Sequence, residues 1–169
     1  MRNRVFLALV LCLTLVTTGF AQNKKAAKVN LEEQIKLNGK VRTGKLDNGL
    51  TYFIRSNNKP ANRAEFQIAV NAGSVLEEAN EVGLAHFTEH MGFNGTKHYP
   101  GNTMIDDLEK EGIVFGREIN AYTGFDQTVY MVTLPTDNAR LFDMGLKILD
   151  GWASGMLMTG EEIDKERGV

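Results

Sequence analysis

The chain has 169 residues, 43% of them hydrophobic and 24% charged, with a formal net charge of −2. That length supports one domain with a sizeable core, and that composition excludes a disordered or collagen-like chain. The 19 basic and 21 acidic residues are mixed along the sequence, which reads as a solvated surface and excludes a nucleic-acid footprint.

Residues 1–21 read as a secretory signal peptide: Arg2 and Arg4, an apolar run from Val5 to Val16, and small residues Gly19 and Ala21 before Gln22. The run is shorter than the roughly 20 residues a membrane span needs. Export with cleavage after Ala21 is expected, giving a periplasmic or secreted protein with no membrane attachment. Cys12, the one cysteine, would be discarded, because Leu11 replaces the small residue a lipoprotein signal carries there. The remainder, with 17 Lys and Arg against 21 Asp and Glu, has a charge of −4. It has no disulfide to draw on, although export would permit one.

Residues 22–42 are polar and lysine-rich and read as an exposed leader. One domain, incomplete at its C-terminal end, is expected over residues 43–169. Two strand-like pieces flank Asp47-Asn48-Gly49, a strong tight-turn signal. A further strand carries Phe66, Ile68 and Val70 in alternation. Residues 74–95 look helical throughout, closing at Gly92 or Gly95. The next segment has Asn102 as N-cap, with Met104, Ile105, Leu108 and Ile113 at helical spacing. Two strands follow, either side of Thr123-Gly124. Pro135 and Thr136 open a helix with Leu141, Met144, Ile148 and Trp152 on one face. Thr159 and Glu162 form a capping box for the last helix. The chain stops at Val169, inside that helix as read here, so the sequence is expected to be a fragment. The order strands, helices, strands, helices predicts an α+β fold.

The three histidines fall within "HFTEHMGFNGTKH", at 86, 90 and 98. At about 100° per residue, His86 and His90 share a helical face, and Glu89 points to it as well. Neutral imidazoles suit zinc. The metal lowers the pKa of a bound water, and a neighbouring carboxylate, here Glu89, takes its proton. The order H-x-x-E-H is the inverzincin signature. Two helix-surface histidines that bind nothing are the plain alternative. His98 lies past Gly95 and reads as a loop residue.

The ordered set "LDNGLTYFI", "AGSVLEEANEVGLAHFTEHMGFNGT", "EINAYTGFDQTVYMVTLP" and "KERGV" resembles the pitrilysin/insulinase family of zinc peptidases, which includes the mitochondrial processing peptidase. The resemblance covers residues 43–169. It implies helices packed on one face of a mainly antiparallel sheet, one zinc ion per site held by His86 and His90, and Glu89 as general base. It implies hydrolysis of peptide bonds in extended peptides or small proteins. Asn120, Ala121, Tyr122 and Thr123 match the family's edge strand, which pairs with substrate by its backbone.

In the family the third ligand is a glutamate seven residues after a first acid. Glu166 matches the first acid, which orients a ligand rather than binding the ion. Spacing from His90 alone leaves Glu166 open as the third ligand itself. The C-terminal remainder of the chain, or a homologous subunit, is the expected partner. A non-catalytic binding subunit of the same fold is the alternative, though such subunits lose motif residues and here all three are present. An unrelated domain with incidental histidines is the third reading.

Overall fold

The computed structural model describes residues 30–168. The expected signal peptide and the cysteine within it lie outside the described residues. The described residues fall into two compact units that divide between Arg55 and Ser56.

In the first unit, β1 (Val41–Lys45) pairs antiparallel with β2 (Thr51–Arg55). The turn closes through Gly49 N–H on the Leu46 carbonyl, at 2.9 Å, and Gly49 carries the positive φ of 91°. A residue with a Cβ would be strained there. β1 begins at Val41, two residues inside the expected leader. Gly44 stands opposite Tyr52, whose ring lies across it.

The second unit is built on three antiparallel strands in the order β3-β5-β4: β3 (Arg63–Val70), β4 (Ile119–Thr123) and β5 (Thr128–Pro135). β5 is central and β4 is an edge. Pairing puts Phe66 and Ile119 opposite Val132, and Ile68 and Ala121 opposite Tyr130, so one face collects the apolar residues. The helices α1 (Leu84–Met91), α2 (Thr103–Lys110), α3 (Ala139–Ser154) and α4 (Gly160–Glu166) follow the expected order.

α3 supplies much of the core. Leu141, Met144, Ile148 and Trp152 are all buried, as their spacing predicts, and they pack in one cluster with Phe66, Tyr130 and Val132. A fully buried side chain such as Ile148 contributes roughly 1.5–3 kcal/mol of transfer free energy. The architecture is α+β, with helices against the apolar face of an antiparallel sheet. Among the described residues no helix is long and apolar enough to cross a membrane.

Three expectations need correction. Residues 74–95 are not one helix. Ser74–Leu76 form a single 3-10 turn whose amides Ser74 N–H and Val75 N–H bond the Gly124 and Phe125 carbonyls. α1 begins only at Leu84, after Gly83 at φ 93°. Docking on the β4–β5 turn fixes residues 74 and 75, and the left-handed Gly83 sets where α1 starts. Asn102 occupies the N-cap of α2 without a side-chain bond; Thr103 Oγ1 instead donates to the Pro100 carbonyl at 2.8 Å. Pro135 belongs to β5, and α3 is capped by Asn138, whose Oδ1 accepts from Arg140 N–H at 3.0 Å.

Candidate metal centre

α1 has only eight residues, and isolated helices of that length are marginal in water. Its ends are held from outside. Gly83, at the N-cap, has no side chain to offer, and the Glu77 carboxylate takes the role. It accepts from Gly83 N–H at 2.9 Å and Ala85 N–H at 2.8 Å. The Ala85 amide, then the Gly83 amide, hold that carboxyl below its usual pKa range, as expected for an anion at a helix N-terminus. At the other end the Trp152 indole donates to the Gly92 carbonyl at 3.0 Å. A methyl at Gly92 would come within 2.6 Å of the Tyr130 ring, so only glycine allows that approach.

The helix turns His86, Glu89 and His90 to one side. His86 Nε2 and His90 Nε2 lie 3.1 Å apart, and His86 Nε2 is 4.0 Å from Glu89 Oε2. Two nitrogens bound to one tetrahedral ion at 2.0–2.1 Å sit about 3.3 Å apart. The pair therefore fits a shared metal ion. Among the described residues no set of three or more His, Cys, Asp or Glu is placed to hold one.

Glu89 is buried and accepts from Thr123 Oγ1 at 2.7 Å. Its charge also adds to burial in raising the pKa of Tyr130. Glu166 reaches the site from α4. Its Oε1 lies 2.6 Å from His90 Nδ1, and its Oε2 accepts from Asn94 Nδ2 at 2.6 Å. A carboxylate accepts, so Nδ1 carries the proton, and Nε2, on the side of His86, is the ring nitrogen whose lone pair a metal ion could use. The His90 contact first, and Asn94 second, hold the Glu166 carboxyl below the usual range.

His98 stands apart: its Nε2 is 2.6 Å from Asp150 Oδ2, beside Lys97 at 2.8 Å. β4 lies at the sheet edge. Gly124 N–H bonds Gln127 O and Thr133 N–H bonds Glu118 O. That alternation turns the backbone groups of Asn120 and Tyr122 toward β5 and those of Ala121 and Thr123 outward. The outward amide of Ala121 is held by Asn120 Oδ1 at 2.9 Å.

Sequence reading missed Asn94, Glu77 and the hydroxyl of Thr123. Asn94 had a signal: it continues the 86, 90 stripe by one more turn. Glu77 and Thr123 meet α1 through loops whose course no local pattern reveals.

Residues 52–169 match the family described as Insulinase (Peptidase family M16). The chain belongs to the insulinase family. It is 41% identical over all its 169 residues to the probable zinc protease PqqL of Escherichia coli, of which it covers 17%. The crystal structure of the first half of the periplasmic protease PqqL from Escherichia coli superposes with a TM-score of 0.75 at 42% identity, covering 79% of this chain and 29% of that one. The ferredoxin protease FusC, solved as a mutant in complex with Arabidopsis ferredoxin, gives a TM-score of 0.66 at 30% identity, covering 76% of this chain and 14% of that one. The chain thus spans about a sixth of the length of PqqL.

Proposed function

We propose that these residues form part of the active site of an exported zinc endopeptidase acting on extended peptides or small proteins. The observation that carries the reading is the convergence of His86 and His90 Nε2 beside Glu89, with Glu166 on the far nitrogen of His90. The family's zinc-protease relatives and the periplasmic neighbour support it.

On this reading His86 and His90 hold zinc, and the third ligand comes from outside the described residues. Zinc, when bound, supplies the positive charge that acidifies a water and polarises a carbonyl. Glu89 accepts the water's proton and delivers it to the leaving amine nitrogen. Glu166 fixes the ring plane and tautomer of His90. The outward backbone of Ala121 and Thr123, with Asn120 and Tyr122 between and beside them, pairs with an extended substrate. The rest of the protein, or a homologous subunit, supplies the remaining walls. The neighbour bound to ferredoxin makes small proteins as well as peptides reasonable substrates.

The test is metal analysis and cleavage of a quenched peptide by the complete protein that carries this chain. His86→Ala should lose both zinc and turnover. Cleavage that survives this substitution and exhaustive chelation would refute the reading. N-terminal sequencing of the exported protein should begin at Gln22.

A further inference from the structure

We infer that the Thr123 hydroxyl is a positioning group for Glu89, distinct from the backbone pairing proposed for its strand. The inference rests on the reading of Glu89 as the proton carrier. Thr123 ends β4 opposite Thr128, and both side chains lie on the face toward α1. Thr128 Oγ1 donates to the Ala72 carbonyl at 2.9 Å, and Thr123 Oγ1 donates to Glu89 Oε2 at 2.7 Å. The two hydroxyl oxygens are 3.5 Å apart. Each hydroxyl has one proton, and both protons are already directed elsewhere. The Thr123 proton is therefore committed to Glu89, and the contact between the two threonines only packs.

A carboxylate free to rotate would present its oxygens to the water in many orientations. One short donor to Oε2 fixes the carboxylate plane and leaves Oε1 free; among the described residues no group donates to Oε1. The donor arrives on a strand whose register is set by β5, not on a loop, so its position is as rigid as the sheet. The same residue thus links two events at the site. Its backbone faces the incoming strand and its side chain sets the base, so misplacing β4 displaces both.

The experiment compares Thr123→Val, Thr123→Ser, Glu89→Gln and the double variant in the complete protein, with zinc content measured for each. Valine keeps the branched shape and the strand backbone while removing the donor. The expected result is a kcat lowered about 10- to 100-fold, the range of a hydrogen bond to a charged group. KM should stay within about twofold and zinc content unchanged, and serine should recover most of the rate. In the double variant, valine should add nothing to the loss caused by Glu89→Gln, because it acts through that residue. If the valine protein loses zinc or melts early, Thr123→Ala replaces it under the same criteria. Wild-type kcat in the valine variant, a rise in KM alone, or serine as impaired as valine each overturns the assignment while leaving Glu89 in place. Full turnover by Glu89→Gln instead overturns the underlying reading of the site.

Discussion

α3 and α1 are built on opposite principles. α3 has sixteen residues, six of them buried, and its own Asn138 as cap. α1 has eight, with Glu89 and Met91 buried, and four side chains from other elements secure it: Glu77, Thr123, Trp152 and Glu166. Apolar area is shared among many contacts, so α3 tolerates adjustment in any one of them. α1 depends on single polar contacts, each made by one donor and one acceptor. Damage to α3 should therefore appear as lost stability. Damage to α1 should appear as lost chemistry in a protein that still folds.

The sharpest test of that contrast is Glu89→Gln. The amide cannot accept a proton, so turnover should fall by about 10²- to 10⁴-fold, with zinc retained and the melting temperature little changed. A folded, zinc-loaded variant with near-normal rate would end the comparison on the α1 side. Next in size is Ile148→Ala in α3, at a site with no exposure. It should cost about 2–5 kcal/mol in urea unfolding while turnover well below the melting temperature stays within a few-fold. A negligible cost would mean that α3 is not the packing scaffold described.

Glu166→Gln comes third. It weakens the hold on His90, and zinc affinity should fall about 10- to 100-fold by chelator competition without a matching loss of fold. Unchanged affinity would remove Glu166 from the site. The smallest effect belongs to Glu77, whose pKa is lowered in the folded state. A lowered folded value means that its capping is complete above the ordinary carboxylate pKa and is lost as pH falls through the folded value. Protection of the Gly83 and Ala85 amides, corrected for the intrinsic pH dependence of exchange, should persist at the pH where a free glutamate begins to protonate, then fall at lower pH. Glu77→Gln should abolish that pH dependence.

The same contrast explains what could be read from the chain. The α3 stripe of Leu141, Met144, Ile148 and Trp152 is a local periodic signal, and all four are buried. The spacing of His86, Glu89 and His90 is local too, and their side chains meet as helix geometry requires. The length of α1 was not legible. Leu76 to Val82 contains good helix formers, but docking of Ser74 and Val75 onto the β4–β5 turn outweighs a propensity of only tenths of a kcal/mol per residue. Nor was the link between Thr123 and Glu89, which joins residues 34 apart through the register of two strands.

The amide of Ala121 is already occupied by Asn120 Oδ1, although it faces the open edge of the sheet. On the proposed reading, a substrate strand arriving at this edge exchanges one hydrogen bond for another at that amide, and the net gain from such an exchange is small. The carbonyl of Ala121 and the backbone of Thr123 must supply the grip. Asn120 then re-covers the amide as a cleaved strand departs. On the same reading the side chain would make binding shallower and departure faster, a bias toward turnover over retention.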